Sequence, residues 1–216
     1  VAMLSMLAVQ SLNTVYMTLV STFFSYVFGL PLGIALVVTG KNGIRPRPVL
    51  NLVLGTIINI FRAVPFLILL IAISPVTQLI TGTTIGIAAT IVPLVVSATP
   101  FIARLVEGSV LEIDQGVIEA AQSMGASDWQ IVSKVMLTEA KPAILVGSVV
   151  AVVTILGYSA MAGIVGGAGL GAVAINYGLY KFNAEVQWIT IAVIVILVQI
   201  LQEFGMWISR RTDNRI

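Results

Sequence analysis

Long apolar stretches broken by short polar ones set the plan of the chain. Residues 1–40 carry no charged side chain, and residues 63–103, 142–180 and 186–202 are equally uncharged. A membrane-crossing helix needs about 20 apolar residues. This predicts a first span at about 12–38, preceded by an apolar lead. The stretch from 50 to 105 is too long for one crossing. Pro75, Thr77, Gly82, Thr83 and Thr84 predict a turn inside it, which leaves spans near 50–74 and 85–106. Two more follow at about 142–164 and 186–208, with the glycine-rich residues between them predicted as a loop. Runs such as Ile189–Val198 do not alternate in polarity, which excludes a membrane β-barrel. The predicted fold class is all-α, a polytopic membrane protein with five transmembrane helices. A transmembrane domain covers 12–208, a cytoplasmic segment lies within it at 112–140, and a tail occupies 209–216.

Composition agrees. Hydrophobic residues make up 58% of the 216 and charged residues 9%, against roughly a quarter charged in a soluble domain. There is no Cys and no His, which removes thiol and imidazole chemistry and the usual zinc or haem ligands. No catalytic residue, metal site or cofactor is expected in the chain. A net charge of +2 gives no reason to expect a nucleic-acid partner; membrane lipids are the expected surroundings.

The basic residues matter through their placement. Lys41, Arg45 and Arg47 follow the first span. Arg104, Lys134 and Lys141 lie in or beside the segment after the third, and Arg210, Arg211 and Arg215 close the chain. With five spans these nine share a side and only Lys181 lies opposite, Arg62 being set aside within a span. The excess of Lys and Arg marks the cytoplasmic face, so the N-terminus is expected outside and the C-terminus inside.

Six of the nine carboxylates fall between Glu107 and Glu139. Val117, Ala120, Ala121 and Met124 recur at helical spacing and predict a short helix at about 115–124. Gly125 is placed to end it with a positive φ. Ser127 with Gln130 forms a candidate capping box for a second helix at about 128–139, with Trp129, Val132 and Met136 as its apolar stripe and Pro142 near its end. Spacing leaves two roles open for the first helix: lying on lipid headgroups, or fitting its small alanines into a groove of another protein.

Glu119-Ala120-Ala121, three residues, Gly125, and then Val135 and Leu137 resemble the cytoplasmic signature of ABC importer permeases. Thr138 stands where that family usually has proline. Asn59 to Phe66, Ile91 to Leu94 and Ala98 to Arg104 are similar to its second and third spans. Gly157 to Gly163, Gly166 to Gly171 and Tyr177-Gly178 resemble the methionine-importer branch. The resemblance implies the type I importer permease fold in the inner membrane. It also implies a homodimer, two copies of a cytoplasmic ATP-binding subunit, and a periplasmic or lipoprotein substrate-binding protein. The implied cargo is methionine, as the D or L form or both. Glu119, Ala120, Ala121, Met124, Gly125 and Ala126 are then the ATPase-coupling residues. The chain itself lacks G-x-x-x-x-G-K-[ST], so a partner would hydrolyse ATP. Gly169-x-Gly171-x-x-Ala174 formally matches a dinucleotide fingerprint, but it follows a membrane span and has no acidic residue about 20 positions on.

Asn59, Arg62, Tyr158, Ser159 and Met161 are candidate lining of a translocation path. Arg62 is the basic residue predicted well inside a span, where a charge is costly; capping carbonyls near Pro65 and acting in the path are both open to it. Pro65, Pro93 and Pro100 predict kinks. Gly29 and Gly33 permit a close helix contact, expected within the subunit. Two other functions remain possible: a sodium-coupled secondary transporter of a small solute, and an importer permease for another amino acid.

Overall fold

The computed structural model describes residues 2–212; Arg215 and the rest of 213–216 lie outside the described residues. Within them, ten α-helices run in order, with short π- or 3₁₀-helical turns in and beside some of them. Helix α1, Ala2–Thr39, takes in the apolar lead as well as the expected span. No breaker separates the two parts, so helical hydrogen bonding continues through them.

The second span differs most from expectation. Helix α2, Pro48–Ala63, and helix α3, Phe66–Ala72, meet at 101°. Val64 is extended (φ −77°, ψ 122°) ahead of Pro65, the conformation a residue before proline is driven into. Helix α4, Ser74–Thr81, then forms where the sequence predicted a turn at Pro75 and Thr77. Proline is tolerated in a first helical turn, and Pro75 occupies that position. The turn falls later, at Gly82 (φ 74°) and Gly86 (φ 93°).

Helix α5, Ile87–Leu111, is the centre of the bundle and stays one helix through Pro93 and Pro100. Its neighbour is α1. A row of small residues on α1, from Thr14 through Thr18, Ser21 and Ser25, is buried and leads into Gly29 and Gly33. A Cβ on Gly33 would come within 2.6 Å of the Ala103 carbonyl, and one on Gly29 within 2.9 Å of the Thr99 carbonyl. The glycines therefore let the two backbones touch within the subunit, as expected.

Helix α6, Gln115–Ser123, is followed by one continuous helical rod. The rod begins as α7, Asp128–Gln130, passes through a π-helical stretch at Ile131–Met136 and continues as α8, Leu137–Ala162. The predicted second short helix and fourth span are thus a single element, and Pro142 lies inside it. Thr138, where the related signature has proline, keeps an N–H for that helix. The glycine-rich segment also departs from the expected loop: a short helix, α9 at Leu170–Val173, with a π-helical continuation at Ala174–Leu179, follows Gly169. Helix α10, Ala184–Thr212, carries the last span into the first residues of the expected tail. Among the described residues, four helices are long and apolar enough to cross a membrane, and the bent α2–α3 pair, taken as one crossing, makes a fifth.

Long-range contacts sort the connections to two ends. The Gln115 amide donates to the Asn42 carbonyl at 3.5 Å, and Arg45 pairs with Asp128. The loop after α1 and the segment after α5 therefore share one end. At the other, the Gly86 N–H donates to the Gly166 carbonyl. Gln10 and Thr14 side chains there accept the N–H groups of Gly169 and Leu170 at 3.0 and 2.9 Å.

Candidate coupling and pathway sites

At the first end the chain builds a protruding helix on a fixed base. Asp114 caps α6 by accepting the Gly116 N–H at 2.7 Å. The helix ends in a Schellman arrangement: the Ala126 N–H donates to the Ala121 carbonyl and the Gly125 N–H to the Gln122 carbonyl, with Gly125 at φ 77°. The predicted glycine conformation is present. So is the capping box, in which Gln130 Oε1 accepts the Ser127 N–H at 2.8 Å and Ser127 Oγ accepts the Gln130 N–H at 3.4 Å.

The predicted face of α6 is divided. Ile118 and Ala121 are buried in a cluster with Ile102, Val106 and Val110 of α5 and Ile131 and Met136 of the rod. Val117, Glu119, Ala120 and Met124 point out, with Met124 81% exposed and neighbouring Trp129 76% exposed. Ala121 belongs to the base rather than to the presented face, because the helix leans on the bundle along its Ile118 edge. Burying Ile118 contributes about 2–3 kcal/mol, enough to hold so short a helix in place. Ala126 is half-buried beneath it, and the Glu119 carboxylate makes no ion pair among the described residues.

The path candidates fall into two groups. Asn59 and Arg62 lie on α2, both exposed. Arg62 sits in the last turn before the break, and no side-chain contact of it to a carbonyl near Pro65 is present among the described residues. Asn59 is engaged: its Oδ1 accepts from Arg104 Nη2 at 2.9 Å. Tyr158, Ser159 and Met161 lie on α8. Tyr158 stacks on Phe66 with centroids 5.0 Å apart and planes 5° apart, fastening α3 to α8. Ser159 is buried and donates to the Leu156 carbonyl at 2.7 Å, so its hydroxyl is already occupied within its own helix. Met161 is half-exposed.

Arg104, which by sequence stands at the edge of the cytoplasmic segment, joins Asn59 in a polar cluster that spacing alone does not reveal. Its guanidinium donates to Glu107 at 2.6 Å, to the Gly55 carbonyl at 3.1 Å and to Asn59. One planar cation therefore clamps α2 to α5. The i,i+3 spacing of Arg104 and Glu107 was a visible signal of the ion pair; its reach to α2 was not.

These features define a class: a helical membrane protein whose bundle presents a braced, partly apolar helix at one of its ends. The family model for the binding-protein-dependent transport system inner membrane component matches residues 25–208, and the chain belongs to that family. A probable D-methionine transport system permease protein MetI of Vibrio cholerae is 48% identical over 94% of this chain and 90% of its own length. The D-methionine transport system permease protein MetI of Escherichia coli K12 is 49% identical over 70% of each chain. An inward-facing structure of the MetNI methionine ABC transporter superposes with a TM-score of 0.97 at 44% identity, over 99% of each chain. An amino acid ABC transporter solved with histidines has a TM-score of 0.76 at 20% identity, a likeness of fold.

Proposed function

We propose that this chain is the membrane-spanning permease subunit of an ATP-driven importer of methionine, working as a homodimer with two cytoplasmic ATPase subunits and fed by an external binding protein. The chain is a transport subunit, and the partner hydrolyses ATP. The observation that carries the reading is α6: an inner edge sunk into the bundle and an outer face of Val117, Ala120 and Met124 left open beside Glu119 and the exposed Trp129 of α7. The nine-to-one distribution of basic residues supports an inside location for that end, with the N-terminus outside.

The contacts supply a route for coupling. A partner that grips α6 pushes on Ile118 and Ala121, which pack on the start of the rod in a buried cluster that Val110 and Val106 of α5 share. Arg104 carries the movement of α5 to α2 through Gly55 and Asn59. Beyond the 101° break, α3 moves with α8 through the Phe66–Tyr158 stack. Packed elements of this kind switch between discrete arrangements, each favoured by a different partner state. Arg62, exposed at the break, and Met161 are the side chains best placed to meet a solute between two copies.

Reconstitution tests the reading. The complex in liposomes, with the binding protein outside and ATP on the ATPase side, accumulates methionine; omitting ATP, the ATPase or the binding protein abolishes uptake. Uptake by this chain alone under a sodium gradient would overturn it.

A further inference from the structure

Near the end of the bundle opposite α6, helices α3, α4 and α5, the end of the rod and the glycine-rich segment border a half-open cavity of about 230 Å³. That is far more than the ~10–15 Å³ that one water needs and below the ~300–1,000 Å³ of clefts for drug-sized ligands. It suits a small solute. Thr77 lines it, only 3% exposed, and its hydroxyl has no hydrogen-bond partner. A buried hydroxyl in that state costs free energy unless something visits it. Ala89 and Pro93 line the same cavity. Pro93 has no N–H to give the Ala89 carbonyl one turn earlier, so that carbonyl lacks its usual helical donor within the same lining. Ser74 and Thr84 add hydroxyls, Leu70 and Val165 supply an apolar wall, and among the described residues no charged side chain lines the space.

We propose that this cavity is a way-station for the solute within each subunit, and that it accepts a net-neutral zwitterion with an apolar side chain. Hydroxyl donors meet the carboxylate, a backbone carbonyl meets the ammonium, and Leu70 and Val165 take the side chain. A solute of net charge finds no counter-ion there and pays full desolvation. The proposal rests on the importer function above and adds a selective site to it, distinct from Asn59, Arg62, Tyr158, Ser159 and Met161.

The absence of native cysteine makes the test direct. Ser74→Cys is introduced into the assembled complex in lipid nanodiscs, and maleimide labelling of this chain is timed with L-methionine, lysine or glutamate. Methionine is expected to slow labelling about fivefold or more, and lysine and glutamate to leave it unchanged. Adding Thr77→Val raises the half-protecting methionine concentration about fivefold, the worth of one hydrogen bond, and Thr77→Ser restores it. If Ser74→Cys prevents assembly, Thr84→Cys in the exposed turn is read in its place. Equal labelling with and without methionine, or equal protection by all three solutes, overturns the proposal. A labelled-site complex that still pumps methionine without protection removes the cavity alone, whereas a wild-type complex that pumps none removes the importer function itself.

Discussion

Gly125 permits an experiment in which size and backbone preference give opposite orders. Its φ of 77° is left-handed, and a Cβ built there meets nothing within 4 Å. Any cost of substitution inside this chain is therefore conformational. Alanine in the left-handed region costs about 1–2 kcal/mol, whereas asparagine tolerates it better and a β-branched residue fares worst. At about 1.4 kcal/mol per tenfold, Gly125→Ala shifts the equilibrium between the closed Schellman end and a frayed one by roughly tenfold. The hydrogen bonds lost are those from Ala126 to Ala121 and from Gly125 to Gln122, which fix the end of the helix proposed to dock the ATPase. The readout is co-purification of the ATPase with the permease and ATP-driven uptake in liposomes. The expected order of function is Gly, then Asn, then Ala, then Val. Were the partner merely intolerant of bulk at this spot, alanine would outperform asparagine, and that order would refute the backbone argument.

Other substitutions test other contacts. Arg104→Met strands Glu107, Asn59 and the Gly55 carbonyl and is expected to cost about 2–4 kcal/mol, the buried-pair value reduced for a guanidinium side chain 25% exposed; a large fall in the detergent melting temperature, partly recovered in Arg104→Met/Glu107→Leu, is the check. Gly33→Leu drives a side chain into the Ala103 carbonyl and Val106 and should lower stability by about 1–3 kcal/mol or block folding, seen as aggregation in size-exclusion profiles. Tyr158→Phe keeps the stack on Phe66 and should melt within about 0.5 kcal/mol of wild type, whereas Tyr158→Ala loses about 3 kcal/mol. Asp114→Ala removes the cap of α6, an expected local loss of about 1 kcal/mol that hydrogen exchange of Gly116 and Val117 would register.

What could be read from the residues follows the range of the forces involved. The Gly125 stop and the Ser127–Gln130 box depend on neighbours within a few positions and were visible in the letters, as was the helix-forming apolar length of each span. Pro65 announced a break after α2 but not its 101° angle, which depends on how Phe66 and Leu94 pack. The π-helical join at Ile131–Met136 was hidden, since Pro142 suggested an end where the surrounding bundle sustains a continuous helix. The helix after Gly169 was hidden as well: its first N–H groups are satisfied by Gln10 and Thr14, some 160 residues away. Among the candidate site residues, spacing put Ala121 and Met124 on one face, but the inward turn of Ala121 and the outward one of Met124 needed the way α6 packs on the rod.

The helical rod from Asp128 to Val165 has 38 residues, roughly 57 Å at 1.5 Å per residue. One end carries Trp129 beside the exposed helix, and the other leads into Gly166, whose carbonyl holds the turn before α5. In the proposed importer a shaft of that length would work as a tiller: a small swing imposed at the inner end would reappear at the outer rim, where a solute-carrying protein would arrive. Because coupling free energy is reciprocal, in the proposed importer the same shaft would let arrival outside tell the motor inside that a load is waiting.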